Sequence, residues 1–430
     1  MKAKVPLCAL LACVAAFLYG AKAISGAPAA PPDPYDRMYP SYVEICIAPQ
    51  IRRIGEKPGG TAGHAVLFLK GVCLDRSQGY PRLEPCRPDL DPGDPDRGVG
   101  ISVNKMFQNV NWVGIEGKDF LLRGGLSENE PFDQAAKSRL VSHVMEKGFY
   151  RNIAIQPKYI KNKPAEASYE RYVAEQSLGT DFALNLGRDV YCGRIPMDLA
   201  GIRAIMDTLN GLNQRYFNSR EGFRWSGIRN NCTHPIYAAL SAVGFCKNKS
   251  TDRTLYSHLT DPAIPSRLFV TVMRIGNDGP LEDANDLVHD RQFSKALNDF
   301  GYLPSRPGVV LEEIPAHTYQ NEFFEKGTDL FFSVGLKTRW RKQFDEIRSQ
   351  PRYRDLHENL LWFRDRYSKA RQVLGAQKLS NDQVRAFREK LLACMEKYFG
   401  ESENYLRALD SGREDGGSSH PSAAQPGWPQ

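Results

Sequence analysis

Apolar positions along this chain keep two different periods, and the switch between them marks out its elements. Residues 42–48 alternate weakly and predict a strand. Behind His64, residues 64–69 form a continuous apolar run, which predicts a strand covered on both faces. Further strands are expected at 99–103 and 110–115, and 181–186 alternates in strand-like fashion. Helical spacing runs through Leu140, Val141 and Val144 in 131–147. It recurs through Leu199, Ile202, Ile205, Met206 and Leu209 in 196–214. The Pro-, Asp- and Gly-rich stretch 76–98 predicts a loop without regular structure. Beyond residue 321 the pattern turns helical. There Ser380, Asn381, Asp382 and Gln383 read as a capping box ahead of a helix over 384–399.

One predicted helix carries candidate chemistry. Asn230 or Asn231 can cap it, Pro235 sits in its first turn and Gly244 closes it, which places Cys232 at the helix start. His64 stands at the mouth of the predicted strand 64–69. A helix N-terminus and a neighbouring imidazolium both favour a thiolate, so the Cys232 pKa is expected below the ordinary value of about 8.5. The imidazole then serves as proton carrier, and a third polar side chain holds its tautomer. Asn104, on the next predicted strand, is the candidate for that role, with Asp75 as the runner-up. His234 lies two residues from Cys232 and faces another way on a helix, which makes it the weaker base. The competing reading pairs Cys232 with Cys246 in a disulfide and leaves His64 as a packing residue.

The ends and the cysteines set the compartment. Lys2 and Lys4 precede an apolar stretch at 5–19, and Ala21, Lys22 and Ala23 fit a cleavage site, so 1–23 reads as a secretory signal. Leu10, Leu11, Ala12 and Cys13 resemble a lipobox, although the apolar run continues past Cys13. Residues 24–41, rich in Ala and Pro, read as a linker, and 410–430 as a disordered tail. Nine cysteines are present, and losing Cys8 and Cys13 with the signal leaves an odd number. Three disulfides plus a free Cys232 balance that count, with Cys73–Cys86 the first pair expected. No zinc-type spacing occurs, and the chemistry at Cys232 requires no metal or organic cofactor. Asn231 and Asn248 each open an N-glycosylation pattern, and a glycan at Asn231 would obstruct Cys232.

Charge adds one further feature. Residues 337–407 carry 17 Lys and Arg against 10 Asp and Glu, so the surplus of the chain is concentrated there. This is either a solvated helical surface or a face that docks on an anionic envelope component such as lipid headgroups. An exported chain without an aromatic–basic motif does not point to nucleic acid.

The order of these segments resembles the Lnb N-terminal periplasmic domain family, a branch of the permuted papain-like cysteine proteins. The elements that carry the resemblance are Gly63-His64, then Ser102-Val103-Asn104, then Tyr169, Glu170, Arg171, Tyr172 and Glu175. The strand-like 181–186, the leucine-spaced 199–212 and Asn231-Cys232 follow. Arg188-Asp189 falls after 181–186 rather than before it, and 76–98 looks like an insertion. The resemblance covers roughly 42–245 and implies an α+β, permuted papain-like fold, with a small antiparallel sheet and a nucleophile-bearing helix in a Cys-His domain at 42–320. The helical pattern and charge add a basic helical region at 321–409. The resemblance also implies a catalytic set of Cys232, His64 and Asn104 acting through an acyl-cysteine intermediate on an envelope peptide, lipoprotein or peptidoglycan amide. The expected activity is that of a periplasmic or secreted peptidase or amidase. An amine N-acyltransferase and a non-catalytic envelope-binding protein are the alternatives.

Overall fold

The computed structural model describes residues 33–55, 63–86, 97–220, 222–249, 254, 256–257, 261–327 and 337–414. The expected signal sequence lies outside them. Six strands build one antiparallel sheet: β1 (Tyr42–Ala48), β2 (His64–Lys70), β5 (Gly98–Ser102), β6 (Val113–Glu116), β7 (Val190–Pro196) and β8 (Val310–Ile314). Their order is β6-β5-β2-β1-β7-β8, while β3 (Val72–Asp75) and β4 (Arg82–Pro85) pair separately. Helices of nine or more residues are α1 (Gln134–Lys147), α2 (Tyr169–Ser177), α3 (Leu199–Phe217), α4 (Thr233–Ala242) and α5 (Pro265–Asp278). They continue with α6 (Arg291–Phe300), α7 (Lys337–Ser349), α8 (Leu356–Ala376) and α9 (Asp382–Glu414). The fold is α+β, as expected.

Residues directly opposite each other in an antiparallel pair project to the same face. The registers Ala48–His64, Cys46–Cys192, Glu44–Arg194 and Cys192–Glu312 therefore set a polar row along one face. At one end, Lys118 and Arg194 enclose the carboxylates of Glu44 and Glu312, with Lys118 Nζ 3.0 Å and 2.6 Å from them. The Cys46–Cys192 disulfide occupies the middle, and His64 the other end. On the opposite face Met273 and Phe269 of α5 pack over Gly193, where an added Cβ would stand 2.7 Å from the Met273 sulfur.

Several expectations change in the structure. Residues 181–186 form turns rather than a strand, because the N–H groups of Ala183, Leu184 and Asn185 donate to the last carbonyls of the Lys118–Arg123 helix at 2.9–3.2 Å. The stretch 76–98 is not devoid of regular structure: β4 pairs with β3, stapled by Cys73–Cys86, the pair expected first. Strand β6 begins late because the N–H groups of Asn111 and Trp112 both turn to Asn213 Oδ1, at 2.8 Å and 3.0 Å. Asn381 rather than Ser380 caps α9, accepting from the Val384 N–H at 2.9 Å.

The expected linker has a folded end. Pro34–Met38 is helical, Tyr35 and Tyr39 are buried, and Tyr35 donates its hydroxyl to Gly308 O at 2.8 Å. The C-terminal helices share the same core, with Tyr353, Phe363, Tyr367 and Met395 buried in it, and α9 runs to Glu414. The expected count of three disulfides is not met among the described residues. Cys46–Cys192 and Cys73–Cys86 are joined, and Cys232, Cys246 and Cys394 are free and buried.

Candidate functional site

Cys232 stands at the start of α4, as the sequence predicts, and Asn231 holds it there. The Asn231 side chain is buried; its Oδ1 accepts the Thr233 N–H at 2.9 Å and its Nδ2 donates to Gly227 O and Ala263 O, each at 2.8 Å. Both ends of the amide are thus occupied, which leaves no room for a glycan on this side chain in the folded protein. The Asn231 N–H donates to His234 Nδ1 at 3.1 Å, so the His234 ring folds back onto the helix start. No Cys232–Cys246 disulfide forms.

The backbone amides of Ala65, Cys232 and Thr233 lie close enough to the Cys232 thiol to favour its thiolate. Ala65 follows His64 directly, so the two segments, 168 residues apart in the chain, meet at the mouth of β2. These amides favour a thiolate, but burial is larger and pushes the thiol up to about 11. The expected depressed thiol pKa is therefore corrected: Cys232 is only 7% exposed, and at that depth desolvation outweighs the helix terminus. His64 moves in the opposite direction. Burial, helped by the charge on Arg188, lowers its pKa to about 3. The thiol and the imidazole are therefore both neutral at rest, and the hydrogen bond of the His64 ring goes to Ser102 rather than to the Cys232 sulfur.

His64 Nε2 lies 3.1 Å from Ser102 Oγ, and Ser102 donates to Asp181 Oδ1 at 2.7 Å. Asp181 is fully buried and collects further donors, Tyr150 OH at 3.0 Å and Asn104 Nδ2 at 3.2 Å. Burial raises the Asp181 carboxyl, and the donors from Ser102, Asn104 and Tyr150 oppose that rise. Asn104, expected to orient His64, is thus hydrogen-bonded to Asp181, one step further along the network. Its Oδ1 accepts from the Met106 N–H at 3.1 Å. Asp75 lies outside this network, on β3, where its carboxylate accepts from the Ser77 N–H at 2.8 Å.

Sequence reasoning missed Ser102, Asp181, Tyr150 and Arg188 as site residues. A period of two across the end of β5 and the residues that follow it would set Ser102 and Asn104 on one side of an extended chain, a signal legible in the sequence. Arg188 is buried, donating through Nε to Leu184 O at 2.9 Å and through its terminal nitrogens to Pro49 O and Gly179 O. Burial lowers its own pKa to about 9. Glu44, Cys46 and Cys192 approach one another closely enough to suggest a metal cluster, but both sulfurs are consumed by the disulfide. No family model, curated protein or solved structure matches this chain.

Proposed function

We propose that the protein is an exported cysteine-dependent enzyme of amide or acyl-transfer chemistry, built on a permuted papain-like arrangement and acting on an envelope substrate. The observation that carries this reading is the approach of the Ala65 amide to the Cys232 thiol, one residue on from a His64 whose ring is tied into Ser102 and Asp181. The order of elements resembling the Lnb N-terminal domain family supports it further. Two disulfides suit an oxidising compartment, and no helix among the described residues is long and apolar enough to cross a membrane.

In this reading a substrate carbonyl enters beside Cys232. Ser102 spends its single proton on Asp181, so its oxygen accepts from His64 Nε2–H, and Nδ1 keeps the lone pair. As the sulfur attacks, Nδ1 takes the thiol proton and then delivers it to the leaving amine or alcohol. The displaced group departs and an acyl-cysteine remains. Water or an amine, deprotonated by the same nitrogen, then releases the acyl group and restores the thiol. The amides of Ala65 and Cys232 are suited to receive the oxyanion once the sulfur has moved onto the carbonyl carbon. Because thiol and imidazole rest neutral, the proton moves during attack rather than beforehand.

A second reading, a non-catalytic envelope-binding protein, draws on the same burial of Cys232. Intact-mass spectrometry after exposure to a small activated ester separates the two. The enzyme reading expects one acyl group on Cys232, absent in Cys232→Ser and slowed at least a hundredfold in His64→Gln, in line with the roughly 10²–10⁴-fold contribution of acid–base catalysis. Acylation that is independent of Cys232 would sink it.

A further inference from the structure

The stretch from the last turn of α3 to Cys232 carries arginines at 215, 220, 224 and 229 against one acid, Glu221. All four arginines are exposed, and none forms an ion pair among the described residues. Beside them Trp225 is 41% exposed and Ile228 45% exposed. The tip that bears these side chains is pinned. Ser226 and Asn230 exchange backbone hydrogen bonds at 2.9 Å and 3.1 Å, and the Trp225 ring lies over Gly227. Below it, Phe223 is buried, donates its N–H to Gln108 O at 2.5 Å and packs edge-on against Tyr216. Asn230 reaches Tyr216 OH at 3.4 Å.

The geometry points to this tip as a docking surface for an anionic lipid bilayer, with Trp225 and Ile228 entering the headgroup boundary and Arg224 and Arg229 holding acidic headgroups. A hydrated polyanion would satisfy the guanidinium groups but offers nothing to an exposed Ile228, whereas a bilayer supplies both charge and an apolar layer. Tryptophan suits that boundary because one end of the ring is apolar and the other carries an N–H. Only two residues separate Arg229 from Cys232 in the chain, so docking holds the start of α4 close to the lipid surface.

The basic C-terminal helices compare poorly as a docking face. Arg348 pairs with Glu313 at 3.2 Å, Arg352 with Asp278 at 2.8 Å and Arg371 with Glu396 at 2.5 Å. Arg366 is spent on the carbonyls of Asn277 and Gly279. Arg348, Arg352 and Arg366 thus spend part of the surplus on partners outside 337–407, while Arg371 pairs with an acid already counted against it.

Cosedimentation of the full chain with vesicles tests the surface, using phosphatidylcholine alone and phosphatidylcholine mixed with phosphatidylglycerol, at low and high salt. Binding is expected only to the anionic vesicles, weakening with salt. The double variant Arg224→Gln/Arg229→Gln should lose roughly tenfold or more, from about fivefold per basic residue. Trp225→Ser/Ile228→Ser should weaken binding that persists at high salt, and Arg341→Gln on α7 should bind as the parent does. Cys232→Ala should also bind normally, so the outcome stands apart from any result on cysteine chemistry. Equal binding to neutral vesicles, no binding, or binding untouched by both loop variants while thermal unfolding is unchanged overturns the proposal. So does capture by dextran sulfate with no binding to anionic vesicles.

Discussion

Ser102 donates its hydroxyl proton to Asp181 across 2.7 Å while the same oxygen sits 3.1 Å from Nε2 of His64. A hydroxyl has one proton, so a buried carboxylate acceptor fixes the direction of the bond on the other side. The hydrogen bond thereby selects the tautomer of a ring two steps away from the acid.

Removing that hydroxyl should release the ring. In Ser102→Ala, nitrogen-15 spectra of His64 should change from the Nε2–H tautomer alone to a mixture, and acylation of Cys232 should slow by up to roughly a hundredfold, the lower end of acid–base contributions. Unchanged tautomer populations would show that Ser102 does not set them.

Acid should unfold the protein partly through His64. Its folded pKa of about 3 lies below the usual value for histidine of about 6.5, so the unfolded chain binds the proton more readily. The resulting stability is present above about pH 6.5 and is lost as pH falls toward 3, by on the order of a few kcal/mol. Urea unfolding at a series of pH values should show this slope in the parent and a shallower one in His64→Gln.

The three free thiols should be silent in the native protein toward reagents that need a preformed thiolate. Burial pushes Cys232 and Cys394 up to about 11 and Cys246 up to about 12. Iodoacetamide near neutral pH should leave all three unmodified until denaturant is added, and peptide mapping should recover Cys46–Cys192 and Cys73–Cys86 as linked pairs. Rapid native labelling of Cys232 would restore the depressed pKa expected from its place at a helix start.

Asn231 should be costly to change. Asn231→Asp keeps an acceptor for the Thr233 N–H but turns a second carboxylate oxygen toward the carbonyls of Gly227 and Ala263. A loss of about 2–4 kcal/mol is expected in urea unfolding, since each unsatisfied buried polar group costs roughly 1–3 kcal/mol. Reactivity at Cys232 should fall with it, because the same amide positions the start of α4.

Opening the two disulfides should have unequal effects. Cys46–Cys192 closes a separation of 146 residues and Cys73–Cys86 one of 13. On chain-entropy grounds the long bridge contributes about 5 kcal/mol and the short one about 3 kcal/mol. Comparing Cys46→Ser/Cys192→Ser with Cys73→Ser/Cys86→Ser by thermal unfolding measures that order.

What the sequence determined by itself is local. The apolar run behind His64 requires a buried strand, and the spacing from Leu199 to Leu209 requires a helix. Asn231 with Pro235 opens a helix at Cys232, because period and cap chemistry act within a few residues. Tertiary structure decided what depends on neighbours distant in the chain. Residues 181–186 alternate like a strand, yet their amides cap the Lys118–Arg123 helix, and that placement brings Asp181 to Ser102 from 79 positions away. Strand β8, at Val310–Ile314, is unremarkable as sequence and becomes a strand by pairing with β7. The charge state of the Cys232 and His64 pair was decided in the same way. A helix start favours the thiolate wherever it stands, but the depth of burial belongs to the assembled fold, and here desolvation outweighs the local field.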